Sequence, residues 1–146
     1  MTSERVVVDA SVAVKWLVEE VDSEEAIKLG QGWAEAGVAL AAPHLLPFEV
    51  ANALHRRVLS EELSIDRVGV LVDFLLDMGI ELFGVSALHL RALTLASELN
   101  QQAAYDSHYL VLAEELDCEF WTADARFYRA ASPTVDRIRL LGGVTS

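Results

Sequence analysis

Cysteine occurs once in this chain of 146 residues, at Cys118. An internal disulfide is therefore excluded, and the lone thiol fits a reducing cytosol, where it is expected to pack at a strand start. Long apolar runs are also missing. The longest uncharged stretch, residues 36–48, is too short to span a membrane and contains Pro43 and Pro47. The first residues place Glu4 and Arg5 ahead of three valines and an aspartate, which is not the pattern of a signal peptide. No Gly-rich phosphate loop, internal repeat, linker or low-complexity segment is present. Basic residues are scarce, with 11 Lys and Arg against 23 Asp and Glu and a net charge of -12. Such a chain does not bind nucleic acid through its overall field, so any such role must rest on local basic patches or on metal ions.

What is abundant is apolar residues, at 53%, which suggests a sheet covered on both faces and an apolar surface kept for a partner. Val6-Val7-Val8 is short and β-branched, as a strand buried on both faces should be, and further strands are expected at residues 38–42, 80–85, 118–122 and 138–141. Helices are expected at residues 12–18 with Ser11 as N-cap, and from a capping box of Asp22 and Glu25 to about Ala36, with Gly37 past its end. Others should run from Pro47 past Val58, from a Ser64 cap to Gly79, from Ser86 to near Asn100, over 105–116, and over 125–131. Strands alternating with helices in this way point to an α/β fold: a three-layer α/β/α sandwich around a central, mostly parallel sheet of about five strands. Residues 1–146 are expected to form a single domain.

Four carboxylates stand out because each sits in apolar surroundings at a place where open α/β sheets bind ligands, outside the carboxyl ends of the strands. Asp9 follows the first strand and Asp124 the fourth. Glu49 lies in the first turn of the helix after the second strand, and Asp106 opens the helix before the fourth. Taken singly, each has an ordinary explanation as a helix cap or a first-turn charge. Together they would repel, by roughly 4 kcal/mol per pair about 4 Å apart at an effective dielectric of 20, unless pKa values rise or a cation binds. Oxygen donors without His or Cys select a hard ion, Mg²⁺ or Mn²⁺, which can activate water and neutralise phosphate, the chemistry of phosphodiester hydrolysis. Asp117 is a spare candidate ligand. Arg56 lies two helical turns after Glu49 on roughly the same face, as a phosphate contact or as one half of a surface ion pair. His44, His55, His89 and His108 show no pairing motif, and no Ser-His-Asp arrangement is visible.

Val8-Asp9-Ala10-Ser11-Val12-Ala13-Val14-Lys15-Trp16 resembles the opening of PIN-domain proteins, in particular the VapC-type toxins of bacterial toxin–antitoxin pairs. Leu46-Pro47-Phe48-Glu49-Val50-Ala51-Asn52-Ala53-Leu54 is similar to their second motif. Tyr105-Asp106-Ser107-His108-Tyr109-Leu110-Val111-Leu112-Ala113-Glu114 is similar to their third, and Thr122-Ala123-Asp124 to their closing Thr-x-Asp. The four motifs stand in order along the chain. The resemblance implies a PIN fold and a Mg²⁺-dependent endoribonuclease of the cytoplasm. Asp9 and Asp106 would be the principal metal ligands, with Glu49 and Asp124 completing the catalytic site. It further implies a homodimer silenced by a cognate antitoxin. Ala123 stands where many relatives have Asn, a departure that touches a supporting hydrogen bond but not the metal site. Two other readings stay open on the residues alone: a non-catalytic binding module, and a phosphatase with Asp9 as nucleophile, although the usual second Asp two positions on is here Ser11.

Overall fold

A strand with one wet face alternates apolar and polar residues, so three consecutive buried valines require cover on both sides. In the computed structural model, which describes residues 4–142, Val6, Val7 and Val8 are buried at the centre of one sheet. Its strands are β1 (Arg5–Val8), β2 (Ala39–Pro43), β3 (Glu81–Phe83), β4 (Glu119–Thr122) and β5 (Ile138–Leu140). They are ordered β3-β2-β1-β4-β5, and every pairing is parallel. The described residues also form seven α-helices: α1 (Ala10–Leu17), α2 (Ser23–Ala36), α3 (Leu45–Leu59), α4 (Ile65–Leu76), α5 (His89–Glu98), α6 (Tyr105–Leu116) and α7 (Ala125–Ala131). The expected three-layer α/β/α sandwich is the fold observed.

Because neighbouring strand residues point to opposite faces, the sheet divides its core in two. Val7, Ala41 and Phe120, level with one another in the register, face the larger cluster. There Tyr109 stacks on Phe120 with ring centroids 6.0 Å apart, and Phe127 meets Phe120 edge-on at 6.4 Å. Val8 faces the smaller cluster, with Val12 and Ala26, and Trp16, Trp33 and Trp121 pack around it. Helix α6 is buried over five consecutive residues, Tyr109 to Ala113. A helix apolar all round belongs inside, and this one packs against β1 and β2.

Several local expectations shift. Ser11 does not cap α1; Asp9 does, its side chain accepting from the Val12 amide. Asp22 precedes α2 in the left-handed region, φ 67°, and makes no side-chain cap. Helix α3 begins at Leu45, two residues before Pro47, which is tolerated because first-turn amides need no intrahelical partner. Glu49 therefore lies beyond the first turn. The helix expected from Ser86 opens instead with a single 3-10 turn, Ser86–Leu88, before α5. Ser64, Gly37 and the full extents of α6 and α7 are as expected.

Strand order reverses at β1. The chain winds one way through β2 and β3 and the other way through β4 and β5, which leaves a crevice at the carboxyl ends of β1 and β4, the switch point at which such sheets hold ligands.

Candidate active site

Parallel pairing sets Val8 beside Trp121, so the residues that follow, Asp9 and Thr122, meet across the crevice. Asp9 is 4% exposed. Its Oδ1 accepts from the Ser11 hydroxyl at 2.5 Å and the Val12 amide at 3.2 Å, and its Oδ2 accepts from the Thr122 hydroxyl at 2.5 Å. Burial raises its pKa to about 6; these three bonds work against the rise, and the charge of Glu49 adds to it. Ser11 and Thr122 are themselves held in place. The Ala123 amide donates to the Ser11 hydroxyl at 2.8 Å, and the Asp124 amide donates to the Thr122 hydroxyl at 3.0 Å. With Ala at position 123, the backbone supplies this link and no side chain is needed.

The other three carboxylates arrive on different elements. Asp124 caps α7, its Oδ1 accepting from the Arg126 and Phe127 amides at 3.0 and 3.2 Å. Glu49 comes from the second turn of α3 and accepts the phenolic hydrogen of Tyr109 at 2.6 Å. Burial raises the Glu49 pKa, the tyrosine bond opposes this, and Asp106 adds to it. Burial and the neighbouring carboxylate drive the Tyr109 hydroxyl strongly upward, so it stays a donor. Asp106 is the exception among the four. The residue before α6 is Ala104, so Asp106 is no N-cap. Half-buried, it has no hydrogen-bond partner among the described residues. Burial first, then the charges of Asp9 and Asp124, raise its pKa to about 6.

All four line one open cleft of about 660 Å³, and Arg56 lines it as well. Lys15 and Arg57, on the same wall, are held by Glu20, and Arg57 also by Glu62. Arg56 makes no ion pair among the described residues, so the surface-pair explanation for it falls away. Asp117 is elsewhere: it ends α6 in the left-handed region and pairs with Arg137 at 3.4 Å. Sequence inspection missed the contact of His89 Nδ1 with His108 Nε2 at 2.7 Å, because the two lie 19 positions apart on separate helices.

The donor set consists of oxygens alone. Among the described residues no three His, Cys, Asp or Glu side chains form a ready-made cage for a metal. Oxygen donors suit a hard ion that keeps much of its water and takes one or two carboxylates, as Mg²⁺ does, better than a soft-ligand zinc site. A half-buried carboxylate with no donor of its own, beside a second that burial has raised, is the arrangement a cation would relieve.

A family model described as PIN domain matches residues 6–133. No curated protein matches the chain.

Proposed function

Since that match covers most of its length, the chain belongs to the PIN domain family, and from this premise we propose that it is a metal-dependent endoribonuclease, the toxin of a toxin–antitoxin pair. Membership suggests nuclease activity in general. The finer reading, RNA as substrate and an antitoxin as partner, is supported by the resemblance of the four motifs to VapC-type toxins. The observation that carries the catalytic part is the convergence of Asp9, Glu49, Asp106 and Asp124, from four separate elements, on one cleft at the switch point.

Asp9 and Asp106 would hold Mg²⁺ or Mn²⁺, which supplies a nucleophile at neutral pH and charge neutralisation at the scissile phosphate. The protein's own groups do the rest. Ser11, Val12 and Thr122 aim the Asp9 oxygens, and Tyr109 fixes one oxygen of Glu49 while leaving the other to receive a proton or orient water. Arg56 offers a charge to the phosphate backbone at the rim.

Partners are read from the surface. Phe48 and Leu59 on α3 are 74% and 70% exposed, and Ile65 and Phe74 on α4 are exposed as well. Apolar groups of this size support a homodimer and an antitoxin contact. No helix among the described residues is long and apolar enough to cross a membrane. One domain over 1–146 and a cytoplasmic location belong to the same proposal, supported by the one sheet and the buried free Cys118.

The test is cleavage of a mixed pool of structured RNA with Mg²⁺ or with EDTA, beside Asp9→Asn. Cutting should require both the metal and Asp9. Equal cutting by the variant would place the site elsewhere, and no cutting together with no Mn²⁺ binding at millimolar concentration would leave a binding module.

A further inference from the structure

Two cavities meet at the carboxylates. Asp106 and Asp124 line the 660 Å³ cleft and also a second, adjoining hollow of about 380 Å³. One wall of that hollow is Asn100, Gln101 and Gln102; the other includes Arg126 and Arg129, from the first and last turns of α7. These arginines are three positions apart on a helix and so share a face.

The distribution of charge singles this hollow out. Of the eleven Lys and Arg, seven are engaged in ion pairs with carboxylates: Arg5, Lys15, Lys28, Arg57, Arg91, Arg137 and Arg139. Four have no such partner among the described residues: Arg56, Arg67, Arg126 and Arg129. Three of these four line the two cavities that share the acids. The four arginines crowded at the end of the sequence are thereby sorted by the fold. The parallel crossover from β4 to β5 keeps Arg126 and Arg129 at the carboxyl end of the sheet. It carries Arg137 and Arg139 to the other end, where Asp117 and Glu119 neutralise them. In a chain of net charge -12, cations without partners are what can attract a phosphate backbone.

The opposite wall adds amides. Gln101 donates to the Leu99 carbonyl at 3.2 Å, while the side chains of Asn100 and Gln102 have no partner among the described residues. An amide carries both donors and an acceptor and can pair with base edges. Phe127 borders the hollow but is 1% exposed, so it presents no face for stacking.

We infer that the second hollow continues the substrate path beyond the acids: Arg126 and Arg129 hold the phosphates on the side of the scissile bond opposite Arg56, and Asn100 and Gln102 face the bases there. An enzyme that cuts within a strand must hold it on both sides of the cut, and carboxylates flanked by unpaired arginines on both sides provide this. The inference rests on the ribonuclease reading above and is tested so that the two can fail separately.

Single-stranded RNA oligonucleotides carrying the site cut in the pool are trimmed from either end and offered to the wild type, to Arg126→Ala/Arg129→Ala and to Arg56→Ala. The double variant should raise KM about tenfold with kcat nearly unchanged. It should also flatten the dependence of log affinity on log salt by about 1.4, at about 0.7 per phosphate lost. That penalty should vanish on substrates trimmed from one end, and the Arg56→Ala penalty on those trimmed from the other. Both arginines are exposed, and an unchanged melting temperature confirms the fold. A double variant equal to a wild type whose cutting needs Asp9 would overturn this path and leave the nuclease standing. If the wild type cuts nothing, fluorescence anisotropy of a labelled single-stranded 12-mer decides. Weaker binding by the double variant would support the path without the nuclease, and equal binding would overturn it.

Discussion

Thr122 shows how one hydroxyl serves two elements. It is fully buried, donates to Asp9 Oδ2 at 2.5 Å and accepts the Asp124 amide at 3.0 Å, and so ties the end of β1 to the start of α7. Thr122→Val keeps the shape and removes both bonds. One oxygen of a buried carboxylate then loses its donor, at a cost of about 1 to 3 kcal/mol. Groups that orient a metal ligand typically cost roughly 10- to 100-fold in affinity or activity when lost. On the proposed function, the expected outcome is a lower melting temperature and cleavage that needs more Mg²⁺ for half-maximal rate, with Thr122→Ser close to wild type on both measures. A valine variant with unchanged metal dependence would mean that Asp9 needs no such support.

At the scale of elements, two of the four acids, Asp9 and Asp124, cap helices and the other two do not. Asp124 caps α7 with two backbone bonds, and Asp106 caps nothing. Asp124→Ala should therefore lose about 1 kcal/mol of stability from the missing cap as well as activity. Asp106→Asn should lose activity alone, and should melt no lower than wild type at pH 8 because it removes a charge that burial and two carboxylates disfavour. Chemical denaturation beside the cleavage assay separates them, and a large destabilisation in Asp106→Asn would give that residue a structural role. The same contrast explains what was legible beforehand. Strand-end acids, the alternation of strands and helices, and helices α6 and α7 follow from periodicity and chain order, which are local. That Asp9 caps α1 while the Ser11 hydroxyl supports it depends on Thr122 arriving from 113 positions away to share that carboxylate. The start of α3 was hidden because proline marks a first turn without saying which of its positions it fills. The His89–His108 contact and the division of the C-terminal arginines depend on how α5 meets α6 and how α7 crosses to β5, and no window of sequence contains either.

Across the whole molecule, the proposed metal site would make folding and metal binding one equilibrium. Asp9 and Asp106 titrate at about 6 in the folded chain, against about 3.9 for an unfolded aspartate. Between those values the folded state holds more protons than the unfolded one, so their contribution to stability is intact below about pH 4 and is lost as pH rises to about 6. Glu49 shifts in the same direction. For fully buried Asp9, two pKa units correspond to about 3 kcal/mol. Salt-bridged surface carboxylates such as Glu81, whose pKa is lowered by Arg5, change with pH in the opposite sense, so the informative quantity is the difference between wild type and Asp9→Asn. Without metal, that difference should favour the variant fully at pH 8, about half as much at pH 5, and vanish below about pH 4. A cation held as proposed would take the deprotonated carboxylates and reverse the trend, adding about 2.7 kcal/mol when present at a hundred times its Kd, or several degrees of melting temperature for a chain of this size. Mg²⁺ or Mn²⁺ should thus raise the wild-type melting temperature at pH 8, do little at pH 5, and leave Asp9→Asn flat at both. Equal metal shifts in wild type and variant would place the ion away from Asp9. No shift in either would mean that the acids hold no metal, and that the stability given up between about pH 4 and pH 6 is left uncompensated.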